Sequence, residues 1–264
     1  MEKSKLKILN QDLLSLYLAQ VPLGLADAFE GLHEAETSTE RFSLHISVAA
    51  MASSKIEGEP MEIDSYIKHK MLNTEYLEDL VQKPNDLYEA YIFAQKNTLS
   101  EENFLEAHQI LAAHLLPEKK RGVCRVGNMV VMEHKTFRIQ YEAALGTEVK
   151  PLFKDLWRDI AYLKMQAHSI EQIFYYGSLI HLIFVNIHPF EDGNGRAGRL
   201  LEKWFLAEML GEKAWFVQSE LYYYRNVNQY YLNLNRLGTF YEQLDYSKAL
   251  PFLLMLPQAA FQAS

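Results

Sequence analysis

The chain has 264 residues, 49% hydrophobic and 23% charged, a composition typical of a globular protein large enough to bury a sizeable core. The formal net charge of −8 argues against a nucleic-acid binder, because phosphate backbones are bound by basic faces. The only cysteine, Cys124, excludes an intramolecular disulfide and fits a reducing compartment. The N-terminus lacks the apolar core of a signal peptide, and the most apolar run, LIHLIFVNI, is too short to span a bilayer. We therefore expect a cytoplasmic protein that binds neither nucleic acid nor membrane.

Apolar residues recur at helical spacing along most of the chain, which predicts a mainly α-helical fold. The predicted helices cover residues 11–20, 85–97, 101–116, 149–166, 170–187 and 196–209. Ser100 is placed to begin the third of them, and Gly211 to end the last.

A polar connection is predicted at residues 73–86, which contain Pro84. It would separate an N-terminal helical region, residues 1–86, from a core domain, residues 87–245. Residues 246–264 are predicted to form a C-terminal helical tail.

One stretch departs from the helical pattern. Residues 127–140, GNMVVMEHKTFRIQ, place β-branched and aromatic residues around a polar turn, which predicts a two-stranded hairpin. Because a lone hairpin is marginally stable in water, it is expected to rest on the helices.

The loop HPFEDGNGR, residues 188–196, lies between two predicted helices. Pro189 disfavours helical dihedrals at the residue before it, so His188 is expected just past the end of the preceding helix. The Gly-Asn-Gly turn at residues 193–195 would then present free backbone amides and a positive helix end, which favours an anion.

Charged side chains beside this turn point to a polyphosphate. Arg196 and Arg199 share a helix face next to the amides. Asp192 would repel phosphate unless a divalent cation lies between them, and Mg²⁺ is commonly held by one carboxylate plus phosphate oxygens. His188 would be a neutral base able to take a proton from a hydroxyl.

Two other interpretations of the loop were weighed. One is an ordinary turn with a surface histidine and solvated arginines. The other is a metal site made by His181, His188 and Asp192. His181 lies seven residues earlier on an apolar helix, so it is interpreted as a core histidine.

The stretch HPFEDGNGRAGR resembles the signature of the Fic family, H-x-F-x-[D/E]-G-N-G-R-x-x-R. Every fixed position matches: His188, Phe190, Asp192, Gly193, Asn194, Gly195, Arg196 and Arg199. The resemblance implies a mainly α-helical bundle with a short β-hairpin flap, here preceded by an N-terminal helical arm. It also implies transfer of AMP from ATP to a hydroxyl of a target protein.

The resemblance assigns a role to each residue of the signature. His188 would deprotonate the target, Asp192 would hold Mg²⁺, and the amides of the Gly-Asn-Gly turn and both arginines would bind the phosphates of ATP. The hairpin at 127–140 lies where the family has its flap, after a G-x-x-R segment with Gly122 and Arg125. A protein target would dock at this flap by strand addition.

A second motif lies upstream, in ASSKIEGEP, residues 52–60. Thr37 and Glu40 form a predicted capping box for a helix that Gly58 ends. Glu57 falls in its last turn, where the helix dipole disfavours a carboxylate and a nearby cation would offset the cost. Ser53 lies one turn earlier, on the same face.

Without further information Glu57 would be an exposed residue at a helix end. However, S-x-x-x-E-G resembles the inhibitory motif of Fic proteins. The resemblance implies that Glu57 pairs with Arg199 in the space needed by the γ-phosphate of ATP, while Ser53 holds the inhibitory helix. A second hypothesis is that Glu57 orients water for removal of AMP.

Several questions stay open at this point. Doc-like relatives transfer phosphate instead of AMP. Their signature is similar but has G-N-K where this chain has Gly193-Asn194-Gly195, so the last glycine favours AMP transfer. The identity of the nucleotide donor stays open. A non-catalytic binding module is a further alternative. The sequence names neither the target nor the modified residue, and it leaves open a homo-oligomer and the signal that relieves inhibition.

Overall fold

The structure is a computed structural model that describes residues 6–33, 43–132 and 139–261. Helices account for most of these residues. In chain order they are α1 (Leu14–Leu18), α2 (Leu25–Glu30), α3 (Leu44–Ile56), α4 (Ile63–Leu72), α5 (Glu78–Lys96), α6 (Glu101–Leu111), α7 (Gly146–Lys164), α8 (Ile170–Ile187), α9 (Asn194–Leu210), α10 (Ser219–Arg225), α11 (Val227–Asn235), α12 (Leu250–Leu253) and α13 (Met255–Ala259).

The strands β1 (Val130–Met132) and β2 (Ile139–Glu142) form an antiparallel hairpin. Residues 133–138, between the two strands in sequence, lie outside the described residues. The hairpin rests on the rest of the fold, because the Glu142 amide donates to the Thr239 carbonyl and the Tyr141 hydroxyl donates to the Asn186 carbonyl near the end of α8. The predicted mainly α fold with a short hairpin is confirmed.

Helix α8 forms the centre of the core and packs against α7, α9 and the short helices of both ends of the chain. It begins with a capping box in which Ser169 and Gln172 satisfy each other's backbone amides. Its side chains are apolar on every face because every face is covered. It is the one helix among the described residues that is long and apolar enough to cross a membrane, and 78% of it is buried inside this fold.

Local signals placed several helix ends correctly. The Ser100 hydroxyl accepts a hydrogen bond from the Asn103 amide at the start of α6, and Gly211 ends α9 with φ of 84°. By contrast, α1 is shorter than predicted. Helix α6 ends at Leu111 rather than residue 116, since the chain turns before Pro117.

The predicted connection at residues 73–86 is wrong for residues 78–86, which belong to α5. Pro84 lies inside this helix, buried, and its carbonyl accepts a hydrogen bond from the Tyr66 hydroxyl of α4. The polar residues of the segment therefore form the solvated face of an amphipathic helix. The boundary predicted after residue 86 falls within α5, which packs on α3, α6 and α9 alike.

Helix α3 carries the upstream motif into the centre of the molecule. Thr37 and Glu40, the predicted capping box, lie outside the described residues; the helix begins at Leu44 with the Ser43 hydroxyl as its N-cap. It ends at Ile56, where the following turn needs Gly58 at φ of 91°. The helix packs between α5 and α10, and its C-terminal end faces α9.

Candidate active site

The loop between α8 and α9 is held in place by buried polar side chains. His188 follows α8 directly, as predicted, with a left-handed backbone at φ of 54°. The Arg125 guanidinium donates to the carbonyls of His188, Ile187 and Ala144 at 2.7, 3.1 and 2.7 Å. These bonds fix a backbone conformation that a residue other than glycine adopts only when its surroundings require it.

The ring of His188 has a defined tautomer. Its Nδ1 lies 3.2 Å from the Val185 carbonyl, which can only accept, so Nδ1 carries the hydrogen and Nε2 keeps its lone pair. Burial lowers the pKa of His188 to about 4, so the imidazole is neutral at pH 7. A neutral ring with an available lone pair is suited to general base catalysis.

Groups suited to bind an anion lie at the start of α9, immediately after the loop. Gly193 precedes the helix with φ of 79°, and the first amides of α9 lack intrahelical acceptors, as at any helix start. Arg196 and Arg199, on the first turns, are 4% and 1% exposed. Two buried guanidiniums beside a positive helix end favour a ligand with several negative charges.

The side chain of Asn194 bonds within the loop itself. Its Oδ1 accepts from the Phe190 amide at 2.9 Å, and its Nδ2 donates to the Phe190 carbonyl at 2.8 Å. Both polar atoms therefore brace the loop from within, which leaves the backbone amides of Asn194 and Gly195 as the groups directed at an anion.

The end of α3 lies against the second of these arginines. Glu57 Oε1 is 2.6 Å from Arg199 NH2, while the Ser53 hydroxyl and carbonyl accept from Arg199 at 2.8 and 3.1 Å. Burial alone would raise the pKa of Glu57, but the charge and hydrogen bonds of Arg199 hold it below its ordinary value. Burial alone would lower the pKa of Arg199, and the Glu57 charge holds it above its ordinary value. Glu57 and Arg199 thus form a close ion pair, and each holds the other in its charged form.

Sequence reasoning missed Glu59. Its Oε1 accepts from Arg196 NH2 at 2.9 Å and from Lys83 Nζ at 3.0 Å, and its side chain is 9% exposed. Both arginines of the signature are therefore paired with carboxylates from the segment that ends α3. The available signal was the second acid in Glu-Gly-Glu, two residues after Glu57.

Tyr230, on α11, also contacts the site. Its hydroxyl lies 3.4 Å from Arg199 NH1 and 3.1 Å from His181 Nε2, and His181 Nδ1 lies 2.8 Å from Glu202 Oε2. His181 is a fully buried core histidine with both ring nitrogens hydrogen-bonded. Within the described residues, no three His, Cys, Asp or Glu side chains are grouped so that they could hold a metal ion.

Asp192 fits a cation that is held partly by a ligand. It is exposed on the loop, and its Oδ1 accepts from the Gly193 amide at 2.6 Å. The second carboxylate oxygen is left for a cation, and a single carboxylate completed by phosphate oxygens is a common way to hold Mg²⁺. The loop thus brings together groups suited to act as a base, to hold a cation and to bind an anion.

The fold is a helical domain whose α8–α9 loop brings together a neutral histidine, an exposed carboxylate and two buried guanidiniums. Residues 98–206 match the sequence model of the Fic/DOC family. The match assigns residues 98–206, and not the whole chain, to a Fic/DOC domain. Proteins with this domain are generally transferases of nucleotidyl or phosphate groups that use a nucleotide substrate.

Solved structures share the fold over nearly the whole chain. A Fic family protein from Desulfovibrio desulfuricans G20 is 20% identical with a TM-score of 0.69, covering 95% of this chain and 70% of its own. A Fic domain-containing signaling protein from Bacteroides thetaiotaomicron is 15% identical with a TM-score of 0.61. The match covers 97% of this chain and 95% of that protein. Fic-1 from C. elegans is 15% identical with a TM-score of 0.64, and the match covers 95% of this chain and 69% of that structure. No curated protein sequence matches the chain.

Proposed function

We propose that this protein is a protein adenylyltransferase that transfers AMP from ATP to a hydroxyl side chain of a target protein. The observation that carries the proposal is the placement of a neutral His188, with its Nε2 lone pair available, on the same short loop as Asp192 and the Arg196–Arg199 anion site. A base, a cation ligand and a polyphosphate site on one rigid loop are what nucleotidyl transfer to a hydroxyl requires.

The proposed reaction follows from the roles of these groups. The target hydroxyl oxygen forms a bond to the α-phosphorus of ATP, and its proton passes to His188 Nε2. The bond between the α-phosphorus and the oxygen bridging to the β-phosphate breaks, so pyrophosphate leaves with the electron pair. Arg196, Arg199 and the first amides of α9 bind the charge of the phosphates.

Asp192 would hold a Mg²⁺ ion, which supplies neutralisation of phosphate charge when it is bound. The residues themselves orient the phosphates and receive the proton. A protein target would dock at the hairpin of β1 and β2, whose β2 strand is attached beside the loop by Tyr141. A cytoplasmic location, expected from the single cysteine, belongs to the same proposal.

Self-inhibition by Glu57 is the second part of the proposal. A γ-phosphate and the Glu57 carboxylate are anions that compete for one guanidinium, and Glu57 already lies 2.6 Å from it. ATP would therefore bind weakly or with its phosphates misplaced until Glu57 leaves. Ser53 supports the restraint, since its hydroxyl and carbonyl orient Arg199 toward the end of α3.

Intact-mass spectrometry of the full chain incubated with Mg·ATP tests the proposal. The variants are wild type, Glu57→Gly, and Glu57→Gly with His188→Ala. Glu62→Gly is the matched control, because Glu62 is an exposed acid five residues later that pairs with Lys55 and not with α9. Labelled ATP added to a cell lysate provides external targets in parallel.

The expected result is addition of AMP, on the chain or on lysate proteins, with Glu57→Gly and none after His188→Ala is added. Wild type and Glu62→Gly should be equally weak. Addition of phosphate instead would replace the proposal with phosphoryl transfer. The absence of any modification in both assays would favour a binding module.

A further inference from the structure

His108 lies on α6, well outside the signature in sequence, yet it contacts the signature loop at two points. Its Nε2 is 3.0 Å from the carbonyl oxygen of Asp192. Its ring stacks on Phe190, with centroids 3.6 Å apart and planes inclined by 21°. The side chain is completely buried.

The two ring nitrogens of His108 have opposite roles. The Gly122 amide donates to Nδ1 at 2.8 Å, and an amide can only donate, so Nδ1 carries the lone pair. The Asp192 carbonyl can only accept, so Nε2 carries the hydrogen. The ring is therefore a neutral imidazole in one fixed tautomer that joins two backbone segments.

These contacts complete a frame around the loop. Gly122 belongs to the same segment as Arg125, which holds the His188 carbonyl at the start of the loop. His108 holds the loop at Asp192, where the backbone turns into the left-handed conformation of Gly193. The fit is close, because a Cβ placed on Gly193 would lie 3.4 Å from His108 Nε2. The bond from His108 therefore restrains the backbone of Asp192, and with it the direction of the Asp192 side chain.

We infer that His108 is a positioning residue for the cation site: its Nε2–H fixes the Asp192 carbonyl so that the Asp192 carboxylate faces the phosphates of a bound nucleotide. The inference rests on the proposed function, because it takes Asp192 as the ligand of the nucleotide-bound cation. His108 acts through Asp192 and touches no reacting atom. Mutation of a group that orients a metal ligand typically lowers metal affinity or activity by about 10- to 100-fold.

The test uses the full chain with Glu57→Gly as the parent. Mn²⁺ is titrated in the presence of a non-hydrolysable ATP analogue, and free Mn²⁺ is measured by electron paramagnetic resonance. His108→Phe keeps a ring against Phe190 and removes both nitrogens, whereas His108→Gln keeps a donor near the position of Nε2. His114→Phe is the matched control, since His114 follows the same helix and bonds Asp86 on the surface. Thermal unfolding is recorded for every variant.

His108→Phe is expected to weaken Mn²⁺ binding by about 10-fold or more. His108→Gln should recover most of that loss, and His114→Phe should match the parent. Unchanged Mn²⁺ affinity in a folded His108→Phe would overturn the inference, as would equal losses in the Phe and Gln variants.

If His108→Phe does not fold, His108→Asn replaces it: Asn reaches toward Gly122 rather than Asp192, so it should lose affinity that Gln retains. If the Glu57→Gly parent binds no Mn²⁺ in the presence of nucleotide, the proposed function itself is contradicted. If the parent binds Mn²⁺ and the His108 variant binds it equally well, only the inference about His108 is contradicted.

Discussion

Glu57 and Arg199 are 142 residues apart in sequence, yet the carboxylate of one lies 2.6 Å from the guanidinium of the other. The two members of the pair differ in how far their side chains are buried. The Arg199 side chain is 1% exposed and also bound by Ser53, whereas the Glu57 side chain keeps 32% of its surface in contact with solvent. Arg199 is therefore the fixed member, and Glu57 is the member that a ligand can replace.

Glu57→Gly should strengthen binding of ATP more than binding of ADP, because only ATP carries the γ-phosphate that competes for Arg199. A hydrogen bond between charged groups contributes about 1.5–3 kcal/mol, which predicts a gain of about 10- to 100-fold for ATP. Isothermal titration calorimetry with both nucleotides in Mg²⁺ measures the difference. Equal gains for ATP and ADP would show that Glu57 does not act at the γ-phosphate.

Glu59→Gln should behave differently from Glu57→Gly. It removes the charge shared by Arg196 and Lys83, which leaves two cations facing the site. Both ATP and ADP are then expected to bind more tightly. The nucleotide-free protein should also unfold at a lower temperature, because a buried arginine without its partner is costly.

Calorimetry and thermal unfolding, with and without ADP, check the role of Glu59. Glu62→Gln serves as the control, because the Glu62 side chain is 72% exposed and should change neither quantity. ADP should restore much of the lost unfolding temperature in Glu59→Gln. If ADP bound no better and stabilised no more than in the parent, Glu59 would have no part in restraining Arg196.

The helices that could be predicted from the sequence are those whose ends carry local signals. Helix α8 was predicted at its observed bounds, because a mostly apolar pattern lies between the Ser169 cap and the residue before Pro189. Helix α5 was misplaced, because a polar segment with Pro84 resembles a loop until its burial against Tyr66 is known. Packing between elements overrides local propensity there.

The same distinction separates the parts of the site. The loop at 188–196 is local, so its spacing predicts a base, an anion site and a cation ligand. The contacts of Glu59 and His108 join segments 137 and 84 residues apart. His108 also binds a backbone carbonyl and a backbone amide. Nearly every residue has these groups, so the amino-acid sequence does not reveal such a contact. Such contacts follow only from the fold.

The pH dependence of transfer should reflect the neutral state of His188. Burial lowers the pKa of His188 to about 4, against an ordinary value of 6.5, and only the neutral ring can accept a proton. Activity of Glu57→Gly should therefore show no histidine limb near pH 6.5 and should fall only as the pH approaches about 4. Initial rates from pH 4 to 8 in saturating Mg·ATP check this, and an acid limb centred near 6.5 would contradict it.

The same shift predicts how His188 affects stability. Between pH 6.5 and about 4 the unfolded chain binds a proton at His188 that the folded chain does not bind. The free energy of unfolding should thus be highest above pH 6.5 and decrease as the pH falls through this window. Urea unfolding at pH 7 and pH 5 should show a smaller decrease for His188→Asn than for the parent, and an equal decrease would remove His188 as a contributor.

Tyr230→Phe should weaken ATP binding without changing the volume of the core. His181 Nδ1 donates to the Glu202 carboxylate, so Nε2 accepts from the Tyr230 hydroxyl, whose oxygen in turn accepts from Arg199. Removing that hydroxyl leaves Arg199 with one partner fewer inside the protein. In the Glu57→Gly background, we expect ATP affinity to fall by roughly 3- to 10-fold, as for the loss of one hydrogen bond.

Tyr223 provides the matched control for Tyr230. It is equally buried, and its hydroxyl donates to the same Glu202 carboxylate at 2.9 Å, not to a group that binds Arg199. Both Phe variants should lower the unfolding temperature, since each removes a buried hydrogen bond. Only Tyr230→Phe should lower ATP affinity. Equal effects of the two variants on ATP binding would mean that the hydroxyl of Tyr230 stabilises the core and does not orient the arginine that the γ-phosphate needs.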